Sequence, residues 1–174
     1  MKYLLPLFCL LSLISAAHAD LSFAYEGDSA KRARLSDLQG SEAPPTLKVE
    51  DWMNGNEMTL ESLKGKVVVL DFWATWCGPC IRSIPHTNDL QAKYPDDLVI
   101  IGICAPKGAE KMAEVVKEHG IEYAVAVDQS GATSDAYKVN GFPDFYVIDR
   151  SGKLVVADCQ NGKVGAVVEQ LLSE

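Results

Sequence analysis

Two runs of apolar residues organise this chain. Val67-Val68-Val69-Leu70 opens a strand that extends to Trp73, and Leu98–Cys104 forms a second. Strands without polar alternation are buried on both faces and belong to parallel sheets. Between them a helical pattern runs from about Pro79 to Tyr94, with Pro85 as an expected kink. Ala109–His119 places Met112, Val115 and Val116 on one helical face, and Gly120 supplies the stop. Tyr123–Val127 reads as a short extra strand and Ser134–Val139 as a short helix. Phe145–Ile148 and Leu154–Ala157 flank Asp149-Arg150-Ser151-Gly152, the signature of a β-hairpin. Val164, Val167, Val168, Leu171 and Leu172 mark a closing amphipathic helix. Upstream, Leu47–Trp52 is a candidate edge strand, and Asn54-Gly55 is a turn signal followed by Met58-Thr59-Leu60. The expected class is α/β. It has a mixed central sheet with helices on both faces, an N-terminal β-hairpin extension and a central αβ insertion over about 105–138.

The first part of the chain has a different character. Lys2 is followed by an apolar stretch from Leu4 to Ile14 and by Ala17-His18-Ala19, a small-x-small cleavage signature. Residues 1–19 therefore read as a secretory signal peptide, too short to span a bilayer comfortably. The alternative is an uncleaved anchor. Residues 20–39 are polar and mixed in charge, with Lys31-Arg32-Ala33-Arg34 in the middle, and read as a solvated tail or loose helix. The domain is expected over 40–174, and 174 residues leave room for one core. No later segment is long and apolar enough to span a membrane, so none is expected to insert after cleavage. Removing Lys2 with the leader takes the formal charge from −8 to −9. An acidic surface suits neither nucleic acid nor anionic lipid.

The chemistry lies in Cys77-Gly78-Pro79-Cys80, just after the first strand and at the start of a helix. A cysteine at a helix N-terminus has unpaired backbone N–H groups and the helix dipole to favour its thiolate. The thiolate is the form that attacks disulfides. Pro79 fits the first helical turn without losing a hydrogen bond. Cys77 is the candidate nucleophile, expected to be partly exposed, and Cys80 the more internal resolving cysteine. The rival readings are half of a zinc site or a structural disulfide. Zinc needs a second ligand pair at suitable spacing, and Cys104 and Cys159 form none. Asp71 lies in the buried strand, where desolvation favours the protonated carboxyl.

The string Asp71-Phe72-Trp73-Ala74-Thr75-Trp76-Cys77-Gly78-Pro79-Cys80 resembles the active site of thioredoxin. Pro85 matches the proline of that family's first helix, and Gly141-Phe142-Pro143 looks like its cis-proline loop. The lead-in, with Ala43-Pro44-Pro45 and Thr59–Lys66, resembles the secreted TlpA/ResA-type thioredoxins, so the likeness covers roughly residues 40–173. The resemblance implies a thioredoxin fold and a thiol–disulfide oxidoreductase without a cofactor. It implies proton relay to Cys80 by Asp71, although a lysine partner on the neighbouring strand is absent from Val99–Cys104. It implies a substrate-binding rim of Trp76, Gly78, Pro79, Phe142 and Pro143, with Pro143 in cis. Trp73 is expected in the core and Trp76 at the surface. Gly78-Pro79 is the pairing of reducing thioredoxins, although the dipeptide alone leaves the direction of electron flow open.

The implied partners are disulfide-containing exported proteins and an upstream thiol donor such as a membrane reductase. The expected location is periplasmic or secreted, and the expected state a monomer. Cytochrome c assembly and copper-site assembly are the contexts the resemblance suggests. Asp144 stands where the family often has threonine, and an acid close to the thiolate would raise its pKa. Cys104 reads as a small buried hydrophobe, and Cys159 lies too far away in such a sheet to bridge it. Two other functions are weighed. One is a copper chaperone using the same cysteines with His86, which together with His119 is more simply a surface histidine. The other is a peroxiredoxin, whose P-x-x-x-T-x-x-C pattern is missing.

Overall fold

The computed structural model describes residues 20–42 and 44–174. The signal peptide expected over 1–19, and Ala43 of the lead-in, lie outside the described residues. The elements in chain order are helix α1 (Ser29–Arg34), strand β1 (Glu50–Met53), strand β2 (Val67–Trp73), helix α2 (Gly78–Lys93), strand β3 (Leu98–Cys104), helix α3 (Met112–His119), strand β4 (Ala124–Val127), helix α4 (Ala132–Ala136), strands β5 (Asp144–Ile148) and β6 (Leu154–Cys159), and helix α5 (Val164–Leu172).

The six strands form one sheet in the order β1-β4-β3-β2-β5-β6. β2, β3 and β4 run parallel, and β1, β5 and β6 are antiparallel to their neighbours. This is the mixed sheet of the thioredoxin fold. Every residue of β2 is buried, because the sheet is covered on both faces. Strand alternation sends Val67, Val69 and Trp73 into one layer, with Ile84 and Leu90 of α2, Val115 of α3 and Val167 of α5. Val68, Leu70 and Phe72 enter the other, with Leu35, Leu63, Tyr137 and Tyr146. There Phe72, Tyr137 and Tyr146 form a triangle of rings with centroids 5.3–5.5 Å apart. Helix α2 continues through Pro85, and α3 ends at Gly120, whose φ of 62° places it in the left-handed region expected of such a cap.

Two sequence expectations are corrected. The N-terminal β-hairpin does not form. β1 instead pairs antiparallel with β4 at the sheet edge, and Met58-Thr59-Leu60 leads into a 3₁₀ turn at Glu61–Leu63. Asn54 does turn the chain, with φ of 58°, but its side-chain amide donates to the carbonyls of Ile121 and Tyr123, at 2.6 and 3.2 Å. That bonding ties the turn to the chain entering β4 and not to a returning strand.

The second correction concerns residues 20–39, which are not a solvated tail. Leu21, Ala24, Leu35 and Leu38 are buried. The segment lies along β6, whose outer backbone groups would otherwise be an open sheet edge. Gly40 N–H donates to the Leu154 carbonyl, Leu154 N–H to Ser41, Glu26 N–H to Asp158, and Gln160 N–H to Ala24. The Gln39 side chain donates to the Val155 carbonyl at 2.5 Å and accepts from Ala157 N–H at 3.0 Å. The basic cluster turns inward. Lys31 pairs with the buried carboxylate of Asp158 and lies 3.9 Å from that of Asp144. Arg32 donates to the Ala157 carbonyl at 2.7 Å, and Arg34 to that of Lys138. A pattern of polar residues concealed this, because the partners of the charges are distant in sequence.

Lys31→Ala is expected to lower the unfolding free energy by about 3 kcal/mol, since removing one partner of a buried ion pair leaves uncompensated charge behind. Adding Asp158→Asn should recover part of the loss. Urea unfolding of the three proteins checks this; equal stability of parent and Lys31→Ala would show that the clamp contributes nothing.

Candidate active site

The chain leaves the sheet at the end of β2 and turns once before α2 begins. Cys77 N–H donates to the Ala74 carbonyl at 2.9 Å, which sets the turn. Cys77 then occupies the N-cap of α2 with extended backbone, and its sulfur accepts from Cys80 N–H at 3.2 Å. Pro79 sits in the first turn, where no N–H is needed. Cys77 and Cys80 are joined as a disulfide, with Cα atoms 5.3 Å apart. Cys77 was expected to be partly exposed, but it is only 4% accessible, against 3% for Cys80. In this oxidised form its sulfur is bonded to Cys80 and turned onto the helix terminus. The distinction between the two cysteines therefore rests on position at the N-cap and not on exposure.

Trp76 stands beside the pair and is 57% exposed, while Trp73 is in the core. The indole of Trp76 donates to the Lys107 carbonyl at 3.0 Å, and the Thr75 hydroxyl to that of Gly108, also at 3.0 Å. Trp76 meets Phe142 edge to face, with centroids 5.9 Å apart. The peptide bond between Phe142 and Pro143 is cis. Trp76, Ser134, Val139, Asn140, Gly141 and Phe142 line an open groove of about 520 Å³. Gly78 lies at the first residue of α2. The structure thus brings Trp76 and Phe142 together beside the disulfide, with cis-Pro143 next to Phe142.

Asp144 is buried, and burial raises its pKa above the usual carboxylate range. Its carboxylate accepts from Asn140 N–H at 3.3 Å and faces Lys31, so it braces the loop ahead of it. This is a function for Asp144 that the sequence reading, concerned with the thiolate, did not include. Cys104 and Cys159 are free, buried thiols, and burial pushes the pKa of each up to about 12. β2 and β5 separate their strands. Among the described residues no three His, Cys, Asp or Glu side chains converge as metal ligands, and no helix is long and apolar enough to cross a membrane.

Asp71 is 2% exposed, and strand alternation directs it to the same face of β2 as Trp73, the face that α2 covers. Its neighbour across β3 is Gly102 and across β5 is Phe145, so no lysine faces it from the adjoining strands. The Tyr123 hydroxyl donates to Oδ2 at 3.2 Å, while Oδ1 has no hydrogen-bond partner among the described residues. Desolvation raises the Asp71 pKa to about 7, and the Tyr123 bond acts in the opposite sense. A carboxyl that titrates near neutrality can take or give a proton under ordinary conditions. Tyr123 was missed in the sequence. The available signal was Gly102, a glycine inside an otherwise apolar strand, which marks a close approach by something else.

The comparisons agree with this geometry. The family model described as Redoxin matches residues 38–171. The thiol-disulfide oxidoreductase ResA of Bacillus cereus is 33% identical over 132 residues, covering 75% of this chain and 74% of that protein. The thioredoxin-like protein YneN of Bacillus subtilis is 31% identical over 128 residues, covering 71% and 72%. The crystal structure of a thiol:disulfide interchange protein DsbE from Chlorobium tepidum superposes with a TM-score of 0.67 at 30% identity, covering 78% of this chain and 97% of that one. The chain belongs to the Redoxin family and is a thioredoxin-like thiol–disulfide oxidoreductase.

The raised pKa of Asp71 has a consequence for stability. Between about pH 4 and pH 7 the unfolded chain has lost this proton while the folded protein still holds it. Stability conferred by the neutral form is complete below about pH 4, falls as pH rises to about 7, and is flat above. Asp71→Asn removes the titration. Its stability relative to the parent should therefore rise across that window, by on the order of 4 kcal/mol. Urea unfolding of both oxidised proteins at several pH values tests this, and a pH-independent offset would contradict it.

Proposed function

We propose that the protein is exported and reduces disulfides in other exported proteins through Cys77 and Cys80. The observation that carries this reading is the Cys77–Cys80 disulfide, set at the N-cap of α2 with the Cys77 sulfur bonded to the Cys80 amide. That amide and the helix terminus stabilise a thiolate on Cys77 once the pair is reduced. The thiolate attacks a substrate disulfide, forms a mixed disulfide and expels one substrate thiolate. Cys80 gives its thiol proton to the Asp71 carboxylate and attacks the Cys77 sulfur. The Cys77–Cys80 bond forms, the bond to substrate breaks, and the second substrate thiolate leaves with the electron pair. Two electrons have passed to the substrate, and an upstream thiol donor, such as a membrane reductase, must return them.

Trp76 and Phe142 offer an apolar platform for the substrate chain beside the pair. The backbone next to cis-Pro143 can accept that chain as an added strand. The leader sequence supports export to the periplasm or beyond. The Gly78-Pro79 dipeptide supports the reducing direction by its likeness to thioredoxin. Maturation of exported cytochrome c or of copper sites is the context in which substrates would be sought, on the strength of the ResA-type resemblance.

Cys77→Ser is expected to abolish reduction of insulin disulfides. Cys80→Ser should accumulate a mixed disulfide, visible as a reducible adduct on a gel. Equilibration with glutathione should place the potential near that of thioredoxin, about −270 mV, and a value near −120 mV would make the protein an oxidant instead. Full turnover by Cys80→Ala would exclude the two-cysteine route.

A further inference from the structure

We propose that Tyr123 is a positioning residue for the exchange reaction, holding Oδ2 of Asp71 so that Oδ1 is the oxygen that exchanges a proton with Cys80. This rests on the reading of Asp71 as the proton acceptor for Cys80. The geometry that supports it is specific. Tyr123 is 3% exposed, and its hydroxyl reaches Asp71 across the sheet position of Gly102. A Cβ at residue 102 would come within 2.8 Å of Val125 and 3.1 Å of both the Tyr123 ring and the Trp73 indole nitrogen, so the glycine leaves room for the tyrosine to lie over the strand together with these two neighbours. The backbone is fixed as well, because Asn54 at the end of β1 donates to the Tyr123 carbonyl. Three otherwise unexplained features therefore share one purpose: a glycine in β3, an asparagine turn that makes no hairpin, and a buried phenol.

The chemistry follows from counting lone pairs and protons. A buried carboxyl with no partners can rotate and carry its proton on either oxygen. One oxygen engaged as acceptor from a tyrosine fixes the plane and leaves a single bare oxygen, Oδ1. When Cys80 attacks Cys77 in the mixed disulfide, the Cys80 proton moves to Oδ1 and the substrate sulfur leaves as thiolate. Reduction of the Cys77–Cys80 disulfide runs the same transfer backwards. The tyrosine bond also favours the ionised carboxylate that must accept the proton. The other groups facing Asp71 cannot substitute. Gly102 and Phe145 on the adjoining strands are uncharged, and the buried residues of α2 are Cys80, Ser83, Ile84, Thr87 and Leu90, of which Ser83 and Thr87 donate their hydroxyls within the helix, to the carbonyls of Cys80 and Ser83. On its own strand, the Trp73 indole N–H has no partner among the described residues and carries no charge.

Tyr123→Phe removes the hydroxyl and keeps the ring. In the oxidised variant, carboxyl NMR should show the Asp71 titration moved up by about one pH unit, since the loss of a hydrogen bond to the charged form disfavours it. The rising limb of the disulfide-exchange rate should move by the same amount. Exchange would then be about ten-fold slower on the acid side and equal to the parent on the alkaline plateau. Asp71→Asn should lack this limb, and adding Tyr123→Phe to it should cost nothing further. If Tyr123→Phe leaves both titration and rate profile unchanged while Asp71→Asn loses the limb, the tyrosine has no such role and the relay by Asp71 stands. If Asp71→Asn keeps the parent profile, the relay itself fails and this inference with it. A uniform slowing of Tyr123→Phe at every pH, with the titration unmoved, assigns the tyrosine to packing and overturns the proposal.

Discussion

Everything in this molecule is referred to β2. It is buried on both faces at the middle of the sheet, paired on one side parallel to β3 and on the other antiparallel to β5. Because side chains alternate with period two, that register assigns each residue to a layer with no freedom to slip. Val68, Leu70 and Phe72 are committed to the tyrosine-rich layer, and Val67, Val69 and Trp73 to the layer under α2 and α5. The same alternation forces Asp71 into the second layer, opposite Gly102 and Phe145. The strand then ends at Trp73, and the turn that follows has room only to seat Cys77 as the cap of α2. The Cys77–Cys80 disulfide and the buried acid are consequences of one strand's placement.

A sheet of this kind has two edges, and the protein closes them differently. β1 protects the β4 side by pairing with it. On the β6 side, the segment from Leu21 to Ser41 satisfies the outer backbone groups with its own amides and with Gln39 and Arg32. That segment also brings Lys31 to two carboxylates that β5 and β6 would otherwise bury unpaired. Asp144 is one of them, and it braces Asn140 in the loop that carries Phe142 and Pro143. A structural clamp at the sheet edge is thus continuous with the groove beside the disulfide. An acidic residue next to the cis-proline loop is tolerated because its carboxylate faces Lys31, which it shares with Asp158, and accepts a backbone N–H from Asn140.

The parts legible in the sequence were those with a local cause. Two continuous apolar runs foretold the two central strands, and helical spacing foretold α2, α3 and α5. Asp149-Arg150-Ser151-Gly152 correctly announced the β5–β6 hairpin. The errors had non-local causes. Asn54-Gly55 has the composition of a hairpin turn, but its asparagine is bonded to the carbonyls of Ile121 and Tyr123, far along the chain. Lys31-Arg32-Ala33-Arg34 has the composition of a solvated helix, but its partners are in β5, β6 and the chain just beyond α4. Composition reports what a side chain is able to do, and only the fold supplies the group it does it to.

The sequence by itself determined the class of chemistry. A cysteine pair spaced by Gly-Pro, placed between an apolar strand and a helical pattern, has one strong physical reading, since helix N-termini stabilise thiolates wherever they occur. It also determined that Asp71 would be buried, because its neighbours on the strand are apolar. The tertiary structure decided what surrounds those groups. That Tyr123 reaches Asp71 depends on the register of β3, on the absence of a side chain at Gly102 and on the path of the chain into β4. Those residues are separated by tens of positions in sequence and meet only when the sheet is assembled. A pKa is set by the groups within a few ångströms, and that neighbourhood is a property of packing rather than of sequence order.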